Sequence, residues 1–495
     1  MQNNYNKNLF LKDLLSSTVV FLVALPLCMG IALASGVPPI VGLLSGIIGG
    51  VVIGIFTGSP LQVSGPAAGL AVIVYELVQS EGLGGLAMIT LFAGIFQIIF
   101  SFLRMGPLFR AISPSVVKGM LAGIGVLIFS SQFHVMLDDA PKSNGFENLI
   151  TIPGAFLSVF DASKGVQHIE AGMIGLITIF IIIAWNYVRD KQWKNPIPAP
   201  LIAIVAAGII TYAAKIDINL VKIPSNLFGT MSEGFMWNSF AGFKLAYVWE
   251  GMIVAFIATT ETLLCVTATD KMKVGHNSNY NKELLAQGIG NSIAGILGAI
   301  PITGVIVRSS ANVDSGGETR GATIMHGMWL LIVLFIFPQL LAFIPKAALA
   351  AILVYIGYKL VDFKAVRKFA EYGRSEAAIY VITIGGVVFI NLLAGVVIGF
   401  GLSLVKLLWK VHSGNVEHTE DDNESRFIFH GEFSFVNLPR VANILETKNI
   451  KKKLILDMSS VSYMDHAIDE LIEGLKVKAE KQDLKVEYIK CKNCK

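Results

Sequence analysis

Charge is what this chain has least of. Only 15% of its 495 residues are Asp, Glu, Lys or Arg, 54% are hydrophobic, and the mean hydropathy is +0.65. So few charges cannot cover the surface of a water-soluble protein of this length. The net charge of +4 is carried mostly by loops flanking apolar runs and by the tail, where membrane topology explains it, so no nucleic-acid partner is expected. Cysteine is scarce too. Cys28 and Cys265 fall inside apolar runs, and Cys491 and Cys494 form a lone C-x-x-C, too few for a zinc site. The chain also lacks a phosphate-cradling glycine loop, a metal-ligand cluster and a nucleophile paired with a base. No catalytic residue, metal or resident cofactor is therefore expected, and an enzyme is the least favoured class.

What the chain has instead is a succession of apolar runs, many close to the roughly 20 residues that cross a bilayer. They read as spans near 14–34, 38–57, 84–104, 115–136, 169–188 and 198–214, then near 246–268, 281–298, 321–343, 346–360, 376–390 and 392–411. The first run is too long for a removable signal and lacks a small-residue cleavage site, so it is expected to remain.

Between the second and third spans lies a short segment broken by Gly and Pro, 61–79, and its counterpart in the second half is 300–313. Both carry P-x-x-G, Pro66-Ala67-Ala68-Gly69 and Pro301-Ile302-Thr303-Gly304, at an offset of 235 that also sets Pro26 opposite Glu261. With these half-helices the chain counts about fourteen transmembrane elements, arranged seven plus seven. An odd number per half inverts the second repeat and turns the two helix starts toward each other near the midplane. The expected fold is an all-α polytopic membrane protein with a small α/β C-terminal domain.

The domains read as a transport domain over 1–411, with repeats of about 11–215 and 246–411, a polar linker over 412–424 and a compact module over 425–495. In that module Phe427–Phe435 and Lys453–Met458 read as strands and Ala467–Lys478 as a helix. The short-loop cations, among them Arg104, Arg110, Lys191, Lys194, Lys271, Lys273, Lys364 and Arg367, share one side if both termini are cytoplasmic. The acidic loop from Leu137 to Ile169, with Asp138, Asp139, Glu147 and Asp161, then lies outside.

Breaking a helix inside a membrane leaves N–H groups that attract anions. The candidate anion donors are the backbone of Ala67, Ala68 and Gly69 and of Thr303, Gly304 and Val305, with the Ser64 and Thr303 hydroxyls beside them. Arg308 follows four residues after Gly304, a buried cation that needs an anion or a carboxylate nearby. Glu261, in Thr259-Thr260-Glu261-Thr262, is an intramembrane carboxylate that could carry a proton, bind sodium with Thr262, or pair permanently with Arg308. Gln97, Gln132 and His134 read as lone polar residues satisfied by their neighbours.

At these residues the chain resembles the SulP family of inorganic anion transporters. The matching stretches are Gly36-Val37-Pro38-Pro39 with Gly42-Leu43, Ser64-Gly65-Pro66, Glu261-Thr262-Leu263-Leu264, Pro301-Ile302-Thr303-Gly304 with Arg308-Ser309, and Gly316-Gly317-Glu318-Thr319-Arg320. The resemblance implies a core domain moving against a gate domain, an anion held between the third and tenth helices, and a homodimer. The tail looks like the family's STAS domain through Leu454-Ile455-Leu456-Asp457-Met458-Ser459 and Met464-Asp465. His466 stands where a phosphorylatable Ser or Thr is often found, and Leu27-Cys28-Met29-Gly30 replaces the polar stretch that many members carry after Pro26.

The reading is thus a secondary transporter or exchanger of a small inorganic anion (sulfate, bicarbonate or chloride) in an inner membrane, working by an elevator movement. Substrate binding is assigned to Ser64, Ala67, Ala68, Gly69, Thr303, Gly304, Val305 and Arg308, and coupling to H+ or Na+ to Glu261 and Thr262. A nucleobase or dicarboxylate symporter of the same architecture, and an anion channel or motor, are the alternatives.

Overall fold

The structure, a computed structural model, describes residues 7–107, 113–142, 145–158, 166–192, 197–222, 243–273, 278–411, 414–421, 424–433, 438–447, 453–464, 466–480 and 484–489. Arg110, Asp161, Lys194, Asp465, Cys491 and Cys494 lie outside these residues. The chain divides into two compact units, Met1–Gly399 and Phe400–Lys495.

The first unit is helical around one short pair of strands. Its first half runs α1 (Lys7–Ala34), α2 (Pro39–Phe56), β1 (Ser64–Pro66), α3 (Ala68–Phe102), α4 (Pro114–Met136), α5 (Gly145–Ser158), α6 (Val166–Gln192) and α7 (Ala199–Ala213). The second half runs α8 (Ala246–Met272), α9 (Tyr280–Ile296), β2 (Ile302–Gly304), α10 (Ile306–Asp314) and α11 (Arg320–Ile336). It continues with α12 (Lys346–Leu360), α13 (Phe363–Tyr372), α14 (Arg374–Phe389) and the beginning of α15 (Leu392–Val411), which crosses the division after Gly399. The expected plan of two matching halves is present, and six of the described helices are long and apolar enough to span a bilayer.

Local chemistry sets the helix starts. Ser113 caps α4 by accepting from the Ser115 N–H, with Pro114 in the first turn, and Asn279, Thr319 and Asp362 cap α9, α11 and α13 in the same way. Gly82, at φ 70 and ψ −177, breaks α3 into a half-helix and a full span, as the sequence pattern required.

Packing sorts the helices into two groups. α3 lies against α8 and α9 and α1 against α11, while α4 packs with α12 and α14, and α6 with α7 and α12. Glycines permit the tightest approaches: a Cβ on Gly50 of α2 would stand 2.6 Å from the Cα of Gly327 in α11. The G-G-E-T-R stretch forms a joint. Asp13 Oδ1 accepts from the N–H groups of Glu318 (2.9 Å) and Thr319 (3.1 Å), Lys273 pairs with Glu318 at 2.7 Å, and Arg320 donates to Ile55 O at 3.0 Å.

Three local expectations change. The acidic loop after α4 contains helix α5, moored by His134, whose Nδ1 lies 3.3 Å from Asp139 Oδ2 and whose Nε2 lies 3.1 Å from Asn148 O. The basic loop after α12 contains helix α13, whose periodicity is short and half polar. Part of the expected linker is a strand, because Asn415–Glu420 finds an edge to pair with.

The second unit is one four-stranded sheet, ordered β3 (Asn415–Glu420), β4 (Glu424–Phe433), β5 (Lys453–Met464), β6 (Lys485–Ile489), with α16 (Leu438–Thr447) and α17 (His466–Glu480). β3 runs antiparallel to β4, while β4–β5 and β5–β6 are parallel. Phe427, Phe429, Leu454, Leu456, Ile468 and Ile472 lie in its core.

Candidate functional site

β1 and β2 pair antiparallel, with Ser64 opposite Gly304, Gly65 opposite Thr303 and Pro66 opposite Ile302. The pairing extends outward through Val305 N–H to Val63 O at 2.9 Å. Buried backbone in an apolar unit must find partners, and side chains complete the set. Asn291 accepts from Ile302 N–H (2.7 Å) and donates to Ile302 O (2.9 Å) and to Gln97 Oε1 (2.8 Å). Gln97 reaches on to Thr259. Asn291 is thus a supporting residue that the sequence reading missed; its one signal was an amide inside an apolar helix.

Both strands lead directly into helices. Ala67 precedes α3 and Val305 precedes α10, each in extended conformation and neither with a side-chain cap. The equivalent strands begin at 64 and 302, an offset of 238 rather than 235. The shared P-x-x-G is therefore out of structural register by three residues. Pro66, which has no N–H, ends β1, whereas Pro301 precedes β2.

This register changes which N–H groups are available. Gly304 N–H donates to Thr262 Oγ1 at 3.1 Å and Val305 N–H is held by Val63. Neither is free to bind an anion as expected, and the opening turn of α10 is Ile306–Arg308 instead. Thr262 secures β2. Ser64 accepts from Gln287 Nε2 at 2.6 Å, also within the scaffold.

The two helix starts border one cavity of about 90 Å3. Ala67, Ala68 and Gly69 line it from α3, Gly304 to Val307 from β2 and α10, Glu261 from α8, and Leu27, Leu121 and Leu353 from α1, α4 and α12. Glu261 is the single ionisable side chain among the described lining residues. The Gly69 N–H and the Thr303 hydroxyl lie against its carboxylate, and its Oε2 is buried without a hydrogen-bond partner.

Arg308 is placed elsewhere. It is 0% exposed but does not line the cavity, because it faces the opposite side of α10, where Nη2 donates to Pro66 O at 3.4 Å. Its neighbours there include Cys28, and Nε and Nη1 have no partner. The expected alternative of a permanent Arg308–Glu261 ion pair is absent: Arg308 is a buried cation without a carboxylate partner among the described residues.

A strand-paired crossing of two uncapped helix starts, one from each half of a multi-pass chain, narrows the comparison with known proteins. The sulfate permease family model matches residues 10–383. The chain belongs to the sulfate permease family. It is 27% identical over 492 residues to "Putative sulfate transporter YvdB" of Bacillus subtilis (strain 168), covering 95% of this chain and 89% of that protein. It is also 27% identical over 408 residues to the bicarbonate transporter BicA of Synechocystis, covering 80% and 69%.

Two solved structures share the fold. The transmembrane domain of a cyanobacterial BicA superposes with a TM-score of 0.66 at 24% identity, covering 81% of this chain and 98% of that one. SLC26A9 superposes with a TM-score of 0.75 at 16% identity, covering 97% and 84%. Membership in this family places the chain among anion transporters that lie within the membrane.

Proposed function

We propose that the protein is a secondary transporter or exchanger of a small inorganic anion, sulfate, bicarbonate or chloride, bound in the cavity between the starts of α3 and α10. The observation that carries this reading is the antiparallel pairing of β1 with β2, which sets two positive helix ends beside one small cavity. Its volume of about 90 Å3 lies well below the ~300–1,000 Å3 of pockets that hold drug-sized ligands, which favours a compact oxyanion over a nucleobase or a dicarboxylate. The donors are the N–H groups of Ala68 and of Ile306 to Arg308, joined by the Gly69 N–H when it leaves the Glu261 carboxylate, and Arg308 adds its field from behind β1.

Glu261 supplies the coupling. An anion entering this cavity meets a carboxylate of like charge, so binding is favourable only when that charge is neutralised. Neutralisation by H+ or Na+ makes co-ion and anion binding mutually dependent, as linkage requires. The Gly69 N–H and the Thr303 hydroxyl hold that carboxylate at the α3 start. Alternating access then follows if the group containing α3 and α10 slides against the group containing α4 and α12. In this reading both termini are cytoplasmic, the membrane is a cell's inner membrane, the assembly is a homodimer, and the C-terminal unit is a STAS-like domain.

The test is uptake of labelled sulfate, bicarbonate and chloride into proteoliposomes, with and without sodium and proton gradients. Saturable uptake of one of them, driven by a gradient or by a counter-anion, is the expected result. Large uncoupled currents would mark a channel or motor, and displacement by uracil or fumarate in preference to all three anions would overturn the substrate class.

A further inference from the structure

The ten-residue helix α13 joins the ends of two spans, α12 ending at Leu360 and α14 beginning at Arg374, so it lies at the boundary of the membrane unit. Its sequence, Phe363-Lys-Ala-Val-Arg-Lys-Phe-Ala-Glu-Tyr372, sorts into two sides at 100° per residue. Ala365 and Phe369 are buried, packing beside Ala122 of α4 and Tyr380 of α14. Phe363 is 73% exposed and Val366 39% exposed; with Ala370 they continue the same apolar side beyond the protein contact. Lys364, Arg367 and Lys368 occupy the opposite side, and Arg374 follows.

None of those four cations has an ion-pair partner among the described residues, although Asp362 and Glu371 are close in sequence. Asp362 is engaged by Lys118 at 3.9 Å and by the Lys364 N–H at 3.1 Å. The helix thus shows an uncovered apolar edge beside a row of cations that have no ion-pair partner among the described residues. Orienting positive charge toward one side of the bilayer explains the cations but not the exposed Phe363, and a purely solvated helix explains neither.

We propose that α13 is a binding site for anionic phospholipid: Phe363 and Val366 enter the acyl region, while Lys364, Arg367 and Lys368 hold the phosphate of the headgroup. Because α13 connects α12 to α14, the lipid bears on the helices that pack around α4. This site is separate from the anion cavity.

The test reconstitutes the full chain into phosphatidylcholine nanodiscs with or without phosphatidylglycerol. Phosphatidylglycerol retention and hydrogen exchange over 363–372 are then compared between the wild type and K364Q/R367Q/K368Q. Each cation near an anionic surface is worth about fivefold in affinity, so the triple variant should retain at least about tenfold less phosphatidylglycerol. Wild-type α13 should exchange more slowly only when that lipid is present. The charge-preserving variant K364R/R367K/K368R should behave as wild type, and thermal unfolding checks that all variants are folded. Equal retention by wild type and the Gln variant overturns the proposal. So does protection independent of the lipid, which would show that a second copy or another part of this chain covers the helix.

Discussion

A carbon added to Gly69 would stand 2.5 Å from Oε1 of Glu261, so the carboxylate of α8 rests directly on the opening turn of α3. A helix start that attracts anions is thereby faced by the chain's own negative group, which ties the two coupled ligands of the proposed cycle to one place.

Gly69→Ala should consequently impair transport while leaving the helix sound. Alanine favours a helix interior by up to about 1 kcal/mol over glycine, but its methyl group forces Glu261 away. Uptake should fall at least about tenfold with little change in thermal stability. Normal uptake by this variant would separate Glu261 from the α3 start.

Glu261→Gln removes the like charge but keeps the shape. Counter-anion exchange should persist while gradient-driven accumulation falls by about tenfold or more, since one pKa unit of coupling corresponds to about 1.4 kcal/mol. Accumulation that still follows the sodium or proton gradient in this variant would assign coupling to another residue.

Arg308→Ala removes no residue from the cavity lining but deletes a buried positive charge together with its hydrogen bond to Pro66 O. Its effect should appear in apparent affinity, a loss of about tenfold, on the order of 1–2 kcal/mol at an effective dielectric near 20, with Arg308→Lys in between. An unaltered KM in both variants would remove Arg308 from the site's electrostatics.

Asn291→Ala breaks three hydrogen bonds around β2 and leaves the buried Ile302 N–H and C=O unsatisfied. Such groups cost about 1–3 kcal/mol each, so Tm in detergent should fall by several degrees along with uptake. Measured thermal unfolding unaffected by the change would show that β2 is held by other means.

In the C-terminal unit the Ser459 hydroxyl, at 2.6 Å, and then the Arg426 guanidinium, at 2.6 Å, hold the Asp457 carboxyl down to about 2. A lowered carboxylate stabilises the fold above its unfolded value near 4 and loses that contribution as the pH falls through 2. Acid exposure of the β5 amides in hydrogen exchange should therefore rise between about pH 4 and 2. Asp457→Asn should abolish that acid dependence and lower stability at neutral pH.

Much of this arrangement could be read from residue order. Long apolar runs define α1, α4, α6 and α8 because crossing lipid requires some 20 apolar residues whatever the neighbours do. The Gly and Pro breaks marked both interrupted segments, although α10 starts at Ile306 rather than at Thr303 to Val305, and Glu261 stood out because a carboxylate in such a run is rare. α5 and α13 were not legible, since short helices with half-polar periodicity look like loops until a partner, here α4, covers one side. The strand at 415–420 was hidden for the same reason.

Sequence alone determined that this is a membrane chain of two like halves, each with an interrupted helix, because hydropathy and backbone breaks are local properties. Tertiary structure decided which groups meet. The shift from 235 to 238 residues is invisible in the motif, yet it occupies the N–H groups of Gly304 and Val305. The turn of α10 places Arg308 behind β1, and the packing of α8 brings Glu261 to Gly69. Those outcomes depend on strand register and helix rotation, which are set by contacts between residues more than 190 positions apart.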